Sequence, residues 1–197
     1  MCGRMNVIDD PNVRGFMDAL GIPVYPKFNA DLRPTDQTLV LVPNGNDISS
    51  ATMSWGIQPS WSKKLLINAK SETISEKNTF KKAFEQHRAL VVCSGWYEWK
   101  EQGQQGPKAN KQKYLVRHSL KQPMLMAAVC FPAKSKQTTD QFVTLTCAPN
   151  EKLKQVHHRM PLIIHIDEID NWLLGDSQQA LDAIHPIQDE AFQFEAC

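Results

Sequence analysis

The sequence predicts an α+β fold in which mainly antiparallel, twisted sheets form a barrel-like core and the helices are peripheral. Short apolar or alternating segments, which are typical of strands, follow one another without regular helical crossovers. Segments with helical periodicity are fewer. The 197 residues, 42% hydrophobic and 22% charged, suffice for one buried core, and neither a repeat nor a linker divides them. We therefore expect a single domain over residues 1–197.

The first predicted helix begins at Asp10 and Pro11, because an aspartate followed by a proline is a common helix start. Gly21 is expected to end it. The apolar residues that share one face of this helix are Val13, Phe16, Met17 and Leu20. This pattern predicts an amphipathic helix on the surface of the core.

Two further helices are predicted in the second and final thirds of the chain. Asn78 or Thr79 can cap one that carries Phe80 and Phe84. Asp167 can cap the other. The residues that carry and end this last helix are Ile169, Trp172, Leu173 and Gly175.

The predicted strands are the apolar or alternating segments between these helices. They are Thr38 to Val42, Ala51 to Ile57, Ala89 to Cys93, Tyr114 to His118, Met124 to Cys130, Phe142 to Cys147 and Leu162 to Ile166. The segment from Lys100 to Lys113 is rich in Gln, Gly and Lys, which predicts an exposed hairpin loop.

The composition disfavours several classes of protein. No apolar segment approaches the ~20 residues of a membrane span, and the first ten residues lack the pattern of a signal peptide. The five cysteines have no paired short spacing, so we expect neither a disulfide framework nor a zinc site, and no other metal or cofactor. We expect a monomeric cytoplasmic protein, associated with the nucleoid if it is bacterial.

The net charge of +1 conceals an uneven distribution. Residues 60–117 contain twelve Lys and Arg against five Asp and Glu, whereas residues 167–197 contain eight acids and neither Lys nor Arg. A basic face could bind an anion such as nucleic acid, although such a stretch is more often simply a solvated surface.

Cys2 directly follows the initiator Met1. If Met1 is removed, the chain begins with a cysteine whose α-amine and thiol lie on adjacent carbons. Both groups are reactive near neutral pH, because an α-amine has a pKa of about 7.7–8.0 and a thiol one of about 8.5. The amine can condense with an aldehyde to an imine, and the thiolate can then close a five-membered thiazolidine ring. On position alone, Cys2 could equally be a small buried residue.

Five polar and aromatic clusters accompany Cys2. They are MCGR at 1–4, WGIQPSW at 55–61, NAKSET at 68–73, GWYEW at 95–99 and VHHRMP at 156–161. Together they resemble the SOS response-associated peptidase family, whose members are abasic-site processing proteins, and they occur in that family's order over nearly the whole chain. The resemblance implies covalent capture of the ring-opened aldehyde of an abasic site in single-stranded DNA, which shields the lesion. It also implies two twisted antiparallel sheets in a barrel-like core with flanking helices.

The resemblance assigns roles to four catalytic candidates. Cys2 is the nucleophile, through both its amine and its thiol. Glu98 is the general acid/base, and its aromatic neighbours are expected to raise its pKa by desolvation; the alternative is a strand carboxylate that faces water. His157 shuttles protons or polarises a sugar hydroxyl, and Asn68 forms a hydrogen bond at the captured sugar. Taken alone, His157 could be structural and Asn68 a turn or cap residue.

A second group of residues is expected to contact the DNA. Cationic side chains bind flanking phosphates, tryptophans stack on or wedge beside bases, and two further residues border the path or the pocket. These residues are Arg4, Lys70 and Arg159, then Trp61 and Trp99, then Pro34 and Thr146. Each tryptophan taken alone is more often a core residue.

Two positions depart from the family pattern. Lys70 stands where the family usually has arginine, which replaces a bidentate phosphate ligand with a point charge. His158 stands where the family commonly has a short polar or acidic residue. Cys93, Cys130 and Cys147 are expected in the core, and Cys197 is expected to be an exposed free thiol.

Three functions remain open from the sequence. The first is abasic-site crosslinking through Cys2, with lyase activity as a side reaction of the imine. The second is a cysteine-type peptidase, with Cys2 as nucleophile, His157 as base and the chain's own N-terminus as a possible substrate. The third is a module that binds single-stranded DNA without a covalent bond.

Overall fold

The computed structural model describes residues 3–102, 110–133, 139–185, 187 and 191–197. Within these residues the chain forms two sheets and several short helices. In chain order the strands are β1 (Met5–Val7), β2 (Asn29–Leu32), β3 (Gln37–Asn44), β4 (Asp47–Trp55), β5 (Asn68–Lys70), β6 (Arg88–Cys93), β7 (Gly95–Gln102), β8 (Asn110–His118), β9 (Met124–Phe131), β10 (Gln141–Cys147), β11 (Met160–Pro161) and β12 (Phe192–Ala196).

The helices are short and lie between the strands. They are α1 (Pro11–Ala19), α2 (Lys81–Gln86), α3 (Glu151–Lys154), α4 (Ile169–Leu173) and α5 (Ser177–Asp182). Two 3-10 turns, Ser71–Thr73 and Ile166–Glu168, precede α2 and α4. Among the described residues, no helix is long and apolar enough to span a membrane.

The first sheet has the spatial order β12-β8-β7-β1-β2, and all of its pairings are antiparallel. The second sheet has the order β11-β10-β4-β3-β6-β9, and β10 also pairs with β9, which closes a ring of strands. Within this sheet only the pairings of β10 with β4 and β5 are parallel among the strands described. The predicted fold class, an α+β barrel-like core of mainly antiparallel sheets, is confirmed.

Burial on both faces explains why some strands read as continuous apolar segments. Every residue of β6 is buried, and so is β9 up to its last residue. Trp55 at the end of β4 stacks on Phe142 of β10, with ring centroids 6.4 Å apart, and its Nε1 donates to the Ile67 carbonyl at 2.9 Å. These contacts fix the ring of strands at the point where β4 and β10 pair.

Six of the seven predicted strands are confirmed, with ends that differ by a few residues. The exception is Leu162 to Ile166, where the strand is instead β11 and Ile166 begins a 3-10 turn. The reason is that the backbone hydrogen bonds of this segment alternate between two strands. Leu162 N donates to the Leu145 carbonyl of β10, and Ile164 N donates to the Leu125 carbonyl of β9. The segment is therefore buried without joining one ladder.

The predicted helices exist, but only the first has the predicted cap. The Asp10 side chain accepts from Asn12 N at 2.8 Å, and Gly21 follows α1 with a φ of 70°. The proposed caps at Asn78 or Thr79 and at Asp167 are wrong. Phe80 occupies the cap position of α2 without a side-chain bond, and Asp167 lies inside a 3-10 turn.

The predicted loop at residues 100–113 is partly wrong. A hairpin is present, but β7 continues to Gln102 and β8 begins at Asn110, with Gln102 opposite Asn110. The tip, residues 103–109, lies outside the described residues. Strands β1, β2, β5, β7 and β12 were not predicted, and β7 carries the GWYEW cluster.

Candidate active site

Glu98 lies on β7, and its side chain is buried. The residue is 2% exposed, and burial raises the pKa of its carboxyl group to about 7. The expected rise in pKa is thus confirmed, and the alternative of a water-facing carboxylate is wrong. A carboxyl group with a pKa near neutrality can both donate and accept a proton at physiological pH.

The position of Glu98 depends on close packing of β7 against its neighbours. Tyr97 N donates to the Arg4 carbonyl at 3.0 Å, which ties β7 to the segment that precedes β1. At Gly95, a Cβ atom would lie 2.6 Å from the Val116 carbonyl oxygen of β8. Glycine is therefore required at the start of β7, because a side chain there would push β8 away.

His157 follows α3, where its backbone N donates to the Leu153 carbonyl at 2.9 Å. The backbone N of Arg159 donates to His157 Nδ1 at 3.0 Å. Nδ1 also lies 3.1 Å from the Arg159 carbonyl oxygen, so its role as acceptor or donor depends on the tautomer of the ring. Burial is the largest cause that lowers the pKa of His157, which favours the neutral form.

Glu98 and His157 line one groove of about 580 Å³. Trp99 and His158 also line it, and the His157 and His158 rings stack with centroids 4.3 Å apart. The lysines along its walls are Lys100, Lys111 and Lys154. The groove therefore combines an acid/base pair with positive charge, which suits an anionic substrate.

Asn68 lies on β5 and is oriented by β10. Thr144 Oγ1 donates to Asn68 Oδ1 at 2.6 Å, so the amide oxygen is an acceptor in this contact and the donor of the side chain is its NH₂ group. Thr146, two residues further along β10, is buried, and its hydroxyl donates to the Ala69 carbonyl at 3.2 Å. Thr146 thus supports β5, and its predicted contact with DNA stays a prediction.

Two of the predicted phosphate ligands are already paired with carboxylates. Arg159 makes a bidentate ion pair with Glu72, at 2.6 and 2.7 Å, and donates a third hydrogen bond to the Thr146 carbonyl at 2.6 Å. Its side chain is 14% exposed. Arg4 binds Asp31 at 2.6 and 2.7 Å, and Asp31 also binds Arg33. Glu72 and Asp31 were not predicted as partners of these arginines, although Glu72 lies inside the NAKSET cluster.

The other predicted DNA contacts lie at or near the surface. Lys70 is exposed at the end of β5, and Trp61 is 68% exposed, so Trp61 is not a core residue. Trp99 is half-buried, and Lys113 Nζ lies 5.9 Å from its ring centroid. Pro34 is half-buried in a turn and precedes Thr35, whose φ is 80°.

The proposed nucleophile Cys2 lies outside the described residues. Cys93, Cys130 and Cys147 are buried as predicted, and burial raises the pKa of their thiols to about 12, 12 and 11. Cys197 is exposed, as predicted. None of the three buried thiols has the thiolate character that a nucleophile needs. Across the described part of the chain, no group of His, Cys, Asp and Glu side chains could hold a metal ion.

Curated relatives carry one recurring description. The chain is 28% identical over 145 residues to the abasic site processing protein YedK of Escherichia coli (strain K12), a match that covers 73% of this chain and 63% of YedK. It is 28% identical over 190 residues to the abasic site processing protein YoaM of Bacillus subtilis (strain 168), covering 88% of this chain and 79% of YoaM. It is 26% identical to the abasic site processing protein HMCES of Gallus gallus, covering 71% of this chain and 50% of HMCES.

Solved structures show the same fold. The crystal structure of a phage-related protein from Bordetella bronchiseptica aligns with a TM-score of 0.82 at 24% identity and covers 100% of this chain and 94% of that one. The family model described as SOS response associated peptidase (SRAP) matches residues 1–197. The arrangement of Glu98 and His157 in one groove and the match of the family model over the full length lead to one conclusion: this chain belongs to the SRAP family.

Proposed function

We propose that this protein captures abasic sites in single-stranded DNA through a covalent bond to Cys2, after Met1 has been removed. The observation that carries the proposal is the buried Glu98 carboxyl, with a pKa of about 7, in the same groove as His157. The description of several relatives as abasic site processing proteins supports the substrate. The match spans 63% of YedK and half of chicken HMCES, so the reaction is argued from this chain's own residues.

The proposed reaction begins with the ring-opened sugar. The α-amine of Cys2 adds to the C1 aldehyde, and the resulting carbinolamine loses water to give an iminium ion. Glu98 in its acid form donates the proton that the departing hydroxyl needs, and its carboxylate form accepts the proton that the amine releases. The Cys2 thiolate then adds to the iminium carbon, which forms the C–S bond and closes the thiazolidine.

Neutral His157 acts in this scheme as a hydrogen-bond donor. In the tautomer in which Nδ1 accepts from Arg159 N, the neutral ring offers an N–H at Nε2, which suits polarisation of a sugar oxygen. Asn68, whose amide oxygen accepts from Thr144, is likewise set up to donate from its NH₂ group. Both residues then stabilise negative charge that develops on oxygen as the sugar ring opens.

Cationic and aromatic residues hold the strand around the lesion. Lys70 is exposed and can bind a flanking phosphate directly, whereas Arg4 and Arg159 share their guanidinium groups with Asp31 and Glu72. Such contacts fix the position of the backbone without reading sequence. Exposed Trp61 is suited to stack on a base, an interaction worth about 1–3 kcal/mol.

The thiazolidine also explains why strand cleavage is a side reaction in this proposal. An imine acidifies the neighbouring carbon, so β-elimination of the 3′ phosphate competes until the thiol closes the ring. A serine in place of Cys2 retains the amine and loses the thiol, so it is expected to shift the outcome from crosslink toward cleavage.

A peptidase reaction receives less support. That reaction needs His157 to accept a proton from the Cys2 thiol, and in the tautomer in which Nδ1 accepts from Arg159 N the ring has no second basic nitrogen. Mass spectrometry of the expressed protein addresses this alternative. Loss of Met1 that depends on Glu98 or His157 would favour self-processing, whereas loss that depends only on a host aminopeptidase would not.

The test of the proposed function uses labelled single-stranded oligonucleotides, either intact or with one abasic site. We expect a band that survives denaturation with the abasic strand and none with the intact strand. Cys2→Ala is expected to abolish the stable band. Cys197→Ala, which removes an exposed thiol elsewhere, is the matched control and should retain it. Equal crosslinking by Cys2→Ala, or equal binding of both strands without an adduct, would refute covalent capture by Cys2.

A further inference from the structure

His157 and His158 form a stacked pair of imidazoles in the groove. Their ring centroids are 4.3 Å apart and their planes differ by 29°. Both residues line the groove beside Glu98, but His157 is half-buried and His158 is exposed. His158 departs from the family pattern, and the sequence predicts no role for it.

The local backbone brings the two rings together. Arg159 N donates to His157 Nδ1, a bond between residues two apart that folds the His157 side chain back along the chain. The His157 ring is consequently held at its edge by the Arg159 backbone and on its face by His158. These contacts fix the orientation of the ring.

The His157 and His158 rings interact through charge as well as through stacking contact. Two imidazoles at this separation cannot both hold a proton without repulsion, so a proton on His158 opposes a second one on His157. A protonated Nδ1 exchanges the bond from Arg159 N for one to the Arg159 carbonyl oxygen, 3.1 Å away, and for this reason the Arg159 backbone raises the pKa of His157.

We propose that His158 is a positioning residue that keeps His157 neutral and fixes the orientation of its ring in the groove. This inference rests on the proposed function where it concerns capture. Neutrality matters there because the reaction passes through an iminium cation, which a charged His157 would repel.

Other charges also act on His157. Burial lowers its pKa most, and the positive charges of the amino terminus and of His158 lower it further, whereas the Arg159 backbone raises it. The charged and titratable groups that line the groove or adjoin His157 in sequence are Glu98, Lys100, Glu101, Lys111, Lys154 and Arg159, the last paired with Glu72. Substitutions at His158 must therefore be compared with a second change of charge in the same groove.

Two variants separate stacking from charge. His158→Phe retains a ring that can stack but carries no proton, and His158→Glu supplies the acidic residue common in the family. We expect the titration midpoint of His157, followed by NMR in the free protein, to rise in His158→Phe and to rise further in His158→Glu. His157→Gln assigns the signal, and His118, which does not line this groove, is the internal reference.

The second measurement is the pH profile of crosslinking to an abasic oligonucleotide. Each protein's crosslinking rate at a pH below the His157 midpoint is divided by its own rate well above the midpoint. If a variant raises the midpoint by about half a unit, this ratio should be about threefold lower than in the wild-type protein. Lys154→Gln removes a different positive charge from the groove. It should leave the His157 and His158 rings stacked and shift the titration midpoint of His157 less than the His158 variants do.

The two measurements separate failure of this inference from failure of the proposed function. Unchanged His157 midpoints in both His158 variants would overturn the inference, whatever the DNA result. A shifted midpoint with an unmoved rate profile would overturn the positioning role. If the wild-type protein forms no crosslink, the proposed function fails, and the NMR titration still decides whether His158 controls the charge of His157.

Discussion

The carboxyl group of Glu98 is buried on β7, where its charged form is costly. Its pKa rises from 4.5 to about 7 on folding, so the folded chain binds the proton more tightly than the unfolded chain. Stability from this group is therefore fully present below about pH 4.5 and is lost as the pH rises through about 7. The cost of ionisation at higher pH is about 3 kcal/mol.

We predict that Glu98→Gln increases the free energy of unfolding at pH 8, by up to about 3 kcal/mol, while it abolishes rapid crosslinking. At pH 4 the two proteins should differ little, because the carboxyl is neutral in both states. Urea denaturation at the two pH values measures this difference. Glu101→Gln, at an exposed position on the same strand, is the control. A Glu98→Gln protein that is equally destabilised at both pH values would contradict the argument.

The chemical properties of a side chain were predictable from the sequence where the residues that determine them are close to it in the chain. The tryptophans next to Glu98 in the chain indicated its raised pKa. The partners of the arginines were not predictable, because Arg159 and Glu72 are separated by 87 positions and Arg4 and Asp31 by 27. No spacing rule connects such residues, and only the folded chain shows that their guanidinium groups are shared with carboxylates.

Among the secondary-structure elements, the helices at one side of the barrel are joined through Arg88 at the start of β6. Its guanidinium donates to the Phe84 carbonyl at 2.9 Å, to the Trp172 carbonyl at 2.5 Å and to the Gly175 carbonyl. These carbonyls lie near the C-terminal ends of α2 and α4, where helices leave acceptors unsatisfied. One buried side chain thus caps two helices and attaches them to the second sheet.

We predict that Arg88→Met lowers the free energy of unfolding by about 2–4 kcal/mol, because it leaves several buried carbonyls without a donor. Chemical denaturation followed by tryptophan fluorescence measures the loss, since Trp172 packs at this point. Arg14→Met, which removes an exposed ion pair with Asp9, should change stability little. A loss no larger than that of Arg14→Met would show that Arg88 is not a cap.

Elements were predictable from the sequence when their pattern had a single cause. The apolar segments that became β6, β9 and β10 are buried on both faces and were correctly identified as strands. The segment Leu162 to Ile166 has the same composition, yet it bridges two strands, and composition cannot distinguish the two cases. Strand β7 was missed because its buried residues include a glutamate and its exposed end is polar.

For the whole molecule, the groove is lined by residues that are distant in the chain. The first sheet provides Glu98, and the segment between α3 and β11 provides His157, whereas Asn68 on β5 is not among the residues that line this groove. The order of strands in the sheets could not be read from the sequence, since it depends on pairings between distant segments. The resemblance of five clusters to one family nevertheless predicted which residues would be grouped, and Glu98 and His157 do line one groove.

The proposed DNA contacts predict a modest dependence of binding on salt for the whole molecule. Phosphate contacts from Arg4, Lys70 and Arg159 would give a slope of log K against log salt of about −2, at about −0.7 for each contact on a single strand. Lys70→Gln should make this slope shallower by about 0.7. Lys82→Gln, on α2, is the charge-matched control. Fluorescence anisotropy with an unmodified strand measures both, and equal slopes for the two variants would exclude Lys70 from the contact.

Strand β10 has a consequence for when the protein becomes reactive during its synthesis. It lies in the last third of the chain and pairs with β4, β5, β9 and β11, and its Thr144 orients Asn68, 76 positions earlier. In the proposed mechanism the nucleophile Cys2 is made near the start of synthesis, whereas β10 and His157 leave the ribosome late. We therefore expect rapid capture of an aldehyde only from completed molecules.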